Sequence, residues 1–315
     1  MSEPVDTPLD RYEAFGVVFR SEMPIPELRR SGDRPTADIR LGKIPGVTPP
    51  EGSSVEWSRV CAAGTQIGWD SVGAFLVRDG CEIVIEPDPA ATPERIRLFL
   101  LGAAMGVLLH QRGLMVLHAS AVEMDGGVVA FLAPKWGGKS TMAAVLHSRG
   151  HPLVTDDILA IDLSGPTPVV HPGFPQLKLW PDTLALLGED SSDVRRLHPQ
   201  IEKRDYRAEA RFPHRPLPLR AVFGLGPAER PSVDRLDAQA ALEDIIGHWY
   251  CARFGYDTME RLGLSSLFLW SADLVRRVPF YRLGCPRSLL TMWEVAAAVE
   301  ESVGAGDSGP ISEQR

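Results

Sequence analysis

Residues 133–141 read APKWGGKST, directly after the apolar run GVVAFL at 127–132. The ending Gly137-Gly138-Lys139-Ser140-Thr141 is what a phosphate-binding loop requires. Successive backbone N–H groups turned inward, plus the positive end of the helix that follows, make an anion cradle. Gly137 and Gly138 allow close backbone approach. Lys139 is placed to reach β- and γ-phosphates, the Ser140 hydroxyl to hold Mg²⁺, and Thr141 to sit near the α-phosphate. The beginning departs from the pattern: Ala133 stands where the first glycine is usual, followed by Pro134, Lys135 and Trp136. Alone, such a match is balanced against a surface turn that happens to end in Gly-Lys-Ser.

The neighbouring sequence supplies the context such a loop needs. Upstream, MVLHASAVEMDGGVVAFL is two apolar runs joined by Asp125-Gly126, which predicts an antiparallel hairpin feeding the loop. Downstream, KSTMAAVLHSRG predicts a helix ended by Gly150, and HPLVTDDILAIDL a buried strand carrying Asp156 and Asp157. A strand end beside the loop is where a metal-side carboxylate and a base are expected. Side chains alternate along a strand, so both aspartates face the loop only if the chain turns there. One would serve the metal and its water, the other the phosphoryl acceptor. A capping or charge-neutralising role for either is the competing reading. His118, on the strand paired with the one entering the loop, is either a γ-phosphate neighbour or a hydrogen-bonded core histidine.

Further from the loop the chain is less specific. Up to about residue 91, short runs such as AFGVVFR, AFLVRDG and CEIVIEP, broken by turn residues, predict a β-rich N-terminal domain (1–91). Thr92 is a good N-cap and Pro93 a good first residue for a helix over TPERIRLFLLGAAMGVLLHQRG. This helix opens a second domain expected to run from 92 to 303, with 304–315 as a disordered tail. DAQAALEDIIGHWYCARFG and SLLTMWEVAAAVEESV have helical periodicity. Between them and the aspartates lie a proline- and glycine-rich stretch and the basic cluster IEKRDYRAEARFPHRP.

Composition narrows the function classes. With 44% hydrophobic and 23% charged residues, the 315-residue chain is of the globular kind. A net charge of −8 argues against a general nucleic-acid footprint. Cys61, Cys81, Cys251 and Cys285 show no metal-ligand spacing, so free thiols in a reducing cytoplasm are expected. The N-terminus lacks the apolar centre of a signal peptide, and the run at 98–109 is too short to span a bilayer, so no membrane role is expected.

The segment LHASAVEMDGGVVAFLAPKWGGKSTMAAVLHSRGHPLVTDDILAI, residues 117–161, resembles the catalytic core of the HPr kinase/phosphorylase family. The shared features are His118, the loop at 133–140, Arg149-Gly150-His151 and Asp156-Asp157. RGLMVLHASAV and PGFPQLKLWPD bring it nearer to the HPr-kinase-like proteins of peptide-biosynthesis clusters, including lasso-peptide precursor kinases. The resemblance implies an α/β fold: a P-loop core of the HPr kinase/PEP carboxykinase-like type, entered by an antiparallel hairpin, with the β-rich domain in front. It implies ATP and Mg²⁺ as cofactors and a serine of a peptide or small protein as acceptor. By the same resemblance Asp157 is the base, Asp156 and Ser140 lie on the metal side, Lys139 binds phosphates and His118 adjoins the γ-phosphate. Hexameric relatives suggest a homo-oligomer. The glutamate-bearing segment that follows the aspartates in HPr kinases is replaced here by PGFPQLKLW. A small-molecule kinase and a nucleotide-binding partner without turnover are the alternatives. Lys178, Lys203, Arg204 and Arg207 are candidate cations for an anionic ligand, or a solvated face.

Overall fold

The computed structural model describes residues 9–47, 56–198 and 201–305. The chain forms two compact units, and the expected domain boundary at 91 does not coincide with the division between them. Residues 1–113 and 253–262 make the first; 114–252 and 263–315 make the second. The helix that was expected to open the second domain therefore belongs to the first.

The first unit is an eight-stranded sheet. Its strands are β1 (Asp10–Ala14), β2 (Val17–Ser21), β3 (Arg29–Arg30), β4 (Ala37–Leu41), β5 (Glu56–Cys61), β6 (Gly64–Trp69), β7 (Gly73–Arg78) and β8 (Glu82–Pro87), in the order β3-β1-β2-β4-β8-β7-β6-β5. Asp79 and Gly80 both take positive φ in the β7–β8 turn, as a tight hairpin needs. Thr92 caps α1 (Pro93–Phe99) by accepting from the Arg95 amide at 3.3 Å. The helix continues through a π-helical turn at Leu100–Ala104 into α2 (Met105–Gln111), and nearly all of Leu100–His110 is buried. Its buried apolar side chains pack within this unit, and none of the described helices is long and apolar enough to cross a membrane. A later helix, Tyr256–Leu262, completes the unit, with Ser58 and Thr258 hydroxyls 2.8 Å apart.

The second unit is built on a branched nine-stranded sheet. Its strands are β9 (Met115–Leu117), β10 (Ala119–Met124), β11 (Gly127–Leu132), β12 (Leu153–Thr155), β13 (Leu159–Asp162) and β14 (Val169–His171), then the long β18 (Leu217–Pro227), β19 (Ser232–Arg235) and β20 (Phe280–Cys285). One arm runs β12-β10-β11-β18-β20-β19; the other leaves the start of β18 through β14 and β13 to β9. A separate three-stranded sheet holds β15 (Gln176–Leu179), β16 (Arg196–His198) and β17 (Ile201–Arg207). It occupies the proline- and glycine-rich and basic stretches that carried no clear periodicity. The helices are α3 (Lys139–Ser148), α4 (Pro181–Leu186), α5 (Ala238–Ile246), α6 (the Tyr256–Leu262 helix of the first unit), α7 (Leu264–Arg277) and α8 (Met292–Ala305). Helix α8 extends slightly past the expected end of the domain at 303, and the remaining tail, 306–315, lies outside the described residues.

Between α3, α8 and this sheet lies a core that includes Phe131, Met142, Val145, Leu146, Phe223, Val295 and Val299. At about 25 cal/mol per Å² of apolar surface, burying such side chains stabilises by roughly 1.5–3 kcal/mol each before entropy is counted. That is enough to hold the start of α3 firmly at the end of β11.

Candidate functional site

Two strand pairs break in register, and the breaks face each other. β10 pairs β12 antiparallel, with Ala121 opposite Thr155, while β9 pairs β13, with Leu159 opposite Leu117. The chain therefore passes from one arm of the sheet to the other twice, at His118 and at 156–158. The run HPLVTDDILAIDL, expected to be one strand, is two strands with the aspartates in the bend between them. His118 likewise lies between β9 and β10 rather than within a strand, its amide bonded to the His248 carbonyl at 2.8 Å. Asp157 takes φ +75, the left-handed region, which aspartate tolerates better than most residues. This turn breaks the alternation that would have sent Asp156 and Asp157 to opposite faces.

The result is two linked carboxylates with different surroundings. Asp156 is only 6% exposed. Its Oδ1 accepts from Ser120 Oγ at 2.6 Å and from Ser140 Oγ at 2.8 Å, and its Oδ2 accepts from the Lys178 amide at 3.0 Å. Asp157 is more open: Oδ1 lies 3.1 Å from His118 Nε2 and Oδ2 accepts from Lys178 Nζ at 3.0 Å. His118 also packs edge-on to Tyr250, with centroids 6.2 Å apart.

The glycine-lysine loop stands opposite. The Asp125-Gly126 turn has φ of 49° and 75°, and β10 and β11 pair in register from Ala119–Leu132 to Met124–Gly127, an antiparallel hairpin running into the loop. Ala133 is buried in the core below α3 and does not take a positive φ, so no glycine is required there. What Ala133 does require is a glycine at 137: a Cβ there would lie 2.6 Å from the Ala133 Cβ and 3.0 Å from the Pro134 carbonyl oxygen. The left-handed positions are Gly138 at φ +89 and, unexpectedly, Trp136 at φ +73. A non-glycine residue held so stores on the order of 1–3 kcal/mol, the kind of strain found around ligand-binding segments. Lys139 is largely buried, and its ammonium donates to the Ala133 carbonyl at 2.7 Å and that of Pro134 at 3.3 Å. Thr141, on the first turn of α3, lies 3.0 Å from the Thr183 hydroxyl of α4.

These elements enclose a cavity of about 600 Å³. It is lined by His118, residues 135–141, Asp156 and Asp157, together with Lys178, Trp180, Asp182, Glu202, Lys203 and Leu289. Of the sequence-predicted site residues, His118, Lys135, Trp136, Gly137, Gly138, Lys139, Ser140, Thr141, Asp156 and Asp157 meet here; Ala133 and Pro134 lie beneath as the loop's base. The basic cluster divides. Lys178 and Lys203 face the cavity, whereas Arg204 bonds the carbonyls of Ser191 and Glu202, and Arg207 pairs with Asp205. Ser120 was not anticipated, because a serine inside an apolar strand carries no signal of its own; nor was Trp180, although a tryptophan directly before a proline is an available hint.

The donor set suits a hard divalent cation. Asp156 and Ser140 supply oxygen ligands side by side, as Mg²⁺ prefers, since it usually takes one or two carboxylates and completes its shell with water and phosphate oxygens. No group of three or more His, Cys, Asp or Glu that could hold a metal ion occurs among the described residues.

Burial pushes the Lys203 ammonium below the usual lysine range, opposed by the charges of Asp156 and Asp157 and reinforced by those of Lys178 and Lys135. The four cysteines form no disulfide, and burial raises the Cys285 thiol to about 11.

No protein-family model matches the chain, and no curated protein matches its sequence. Among solved structures it is similar to the HPr(Ser) kinase/phosphatase from Coxiella burnetii, at 12% identity, covering 61% of this chain and 99% of that one, with a TM-score of 0.34. At that score the likeness carries no weight for function, which is left to the geometry of the cavity.

Proposed function

We propose that the chain is an ATP- and Mg²⁺-dependent kinase that transfers the γ-phosphoryl group to a serine hydroxyl of a peptide or small protein, a lasso-type precursor peptide being the first acceptor to try. The observation that supports this reading best is the pairing of unlike carboxylates across from a glycine-lysine loop. Asp156 is buried and bonded to Ser140 of the loop, while Asp157 is open to the cavity and held between His118 and Lys178.

Each residue has a distinct task in that reaction. The amides of the loop and the Lys139 ammonium bind the phosphates, and positioning plus charge neutralisation account for most of phosphoryl transfer. Asp156 and Ser140 would hold Mg²⁺, which supplies charge neutralisation at the phosphates. Asp157 takes the proton of the serine hydroxyl as its oxygen forms the new bond to phosphorus and the bond to the ADP oxygen breaks. His118 and Lys178 orient that carboxylate, and Lys178 also faces the developing negative charge.

The test is transfer of label from γ-labelled ATP to peptides, with serine as the labelled residue and Asp157→Asn as the control. Transfer lost in that variant while nucleotide binding persists supports the kinase. Label appearing in a low-molecular-weight product would redirect the reading to a small-molecule kinase. Binding without any transfer would leave a nucleotide-binding protein.

A further inference from the structure

Four lysines line the cavity beside its four carboxylates, and two of the lysines are built into an aromatic stack. Lys135 Nζ lies 5.9 Å from the Trp136 ring centroid; Trp136 stacks on Trp180 at 4.6 Å and 21°; Lys203 Nζ lies 5.6 Å from the Trp180 ring. A cation–aromatic–aromatic–cation column thus joins the loop to the three-stranded sheet. The other two lysines of the cavity have oxygen partners: Lys139 on loop carbonyls, Lys178 on Asp157. Lys203 has no hydrogen bond or ion pair among the described residues, and its contact is the indole face.

A half-buried ammonium without a carboxylate partner is costly to keep, and an arriving anion repays that cost. Its surroundings locate the anion. Lys203 lines the same cavity as Asp156, Asp157 and the loop, and both carboxylates act on its charge. Ser140, on the first turn of α3, bonds Asp156, so the phosphate loop and the carboxylates meet at one place in the cavity. Trp136 immediately precedes Gly137, so the column runs from the phosphate loop itself to Lys203.

Resting on the phosphate-loop reading above, we propose that Lys203 is a second phosphate-binding cation, contacting the terminal phosphoryl group of a nucleoside triphosphate, and that Trp180 positions it. Lys203 then distinguishes triphosphate from diphosphate and stabilises the charge of the group in transfer, while Trp180 acts through it. Trp136, at its positive φ, stacks on Trp180.

The experiment is calorimetric titration, in Mg²⁺, with ADP and with a non-hydrolysable ATP analogue. For Lys203→Met, affinity for the analogue should fall about tenfold or more, the value of one charge-assisted hydrogen bond, with ADP affinity unchanged within about twofold. Trp180→Leu should shift the analogue-to-ADP ratio in the same direction, and Trp180→Phe, which keeps a ring under the ammonium, should restore most of it. Retained ADP binding shows in each case that the variant is folded. Equal loss for both nucleotides, or no change for either, overturns the proposal; the latter is also the result if Lys203 meets an anion on the acceptor. A wild-type chain that binds neither nucleotide overturns the phosphate-loop reading and this proposal with it.

Discussion

At the residue scale the site depends on Asp157, held in a backbone conformation that few residues accept, and on Ser120 behind the neighbouring carboxylate. Asp157, at φ +75, presents its carboxylate to the cavity because the bend turns it away from the alternation of a strand. Asparagine keeps both the shape and the tolerance for that conformation, so Asp157→Asn should fold normally. Its transfer rate should fall about 10²–10⁴-fold, the usual contribution of a positioned base. Nucleotide affinity measured by calorimetry should stay within about twofold, and a large drop there would assign Asp157 to binding instead. Ser120 works on the neighbouring carboxylate. Ser120→Ala removes the 2.6 Å hydrogen bond to Asp156 Oδ1 in a fully buried setting. Leaving that oxygen less satisfied should cost about 1–3 kcal/mol in urea-unfolding free energy. A loss near zero would mean Ser140 and the Lys178 amide suffice for Asp156.

At the scale of the element, the loop is a compensated variant of the usual glycine-rich turn. The methyl of Ala133 fills core space below α3, and Gly137 makes room for it, since a Cβ at 137 would stand 2.6 Å from the Ala133 Cβ. Gly137→Ala should therefore weaken nucleotide binding by tenfold or more, on the order of 1.4 kcal/mol. Ala133→Gly in the same chain should recover part of that loss, because the methyl contact is removed while the 3.0 Å approach to the Pro134 carbonyl remains. Additive effects in a double-mutant cycle would show that the two positions do not communicate. This element was the most legible part of the sequence: Asp125-Gly126, the apolar run 127–132, the glycines and the apolar helical stretch ended by Gly150 are local signals. The bends at His118 and Asp156–Asp157 were not legible. They arise because β9 and β13 pair in one arm of the sheet and β10 and β12 in another, a long-range condition that leaves no periodicity in either run. The three-stranded sheet escaped because its sequence is mostly polar: Leu177, Leu179 and Tyr206 alone turn to the core, and ion pairs such as Arg195 with Asp205 flank them.

At the scale of the whole molecule, each unit carries an ion pair tying a helix in place, and burial decides what each contributes. In the second unit, Arg149 and His151, at the end of α3, both bond Glu300 on α8, at 2.6 Å and 2.9 Å. The Arg149 hydrogen bond is the main reason the Glu300 carboxyl is held below the usual glutamate range. A depressed folded-state value means the contribution is present above the unfolded value and is lost as pH falls through the folded one. The groups are partly exposed, so Glu300→Gln should cost less than about 1 kcal/mol near neutral pH, and the difference from wild type should vanish in acid. In the first unit, Arg97 donates to both oxygens of Glu27 at 3.0 Å, and both side chains are almost wholly buried. Neutralising Glu27 leaves the buried Arg97 only the looser, more exposed Glu94 at 3.7 Å, so Glu27→Gln should cost about 3 kcal/mol. Hydrogen exchange resolved by peptide separates the two cases. Glu300→Gln should lower protection in α3 and α8 by less than about tenfold, whereas Glu27→Gln should lower it across β1, β2 and α1 by much more. Equal, small effects at both sites would mean that water reaches the Arg97–Glu27 pair and screens it as it screens the pair on α8.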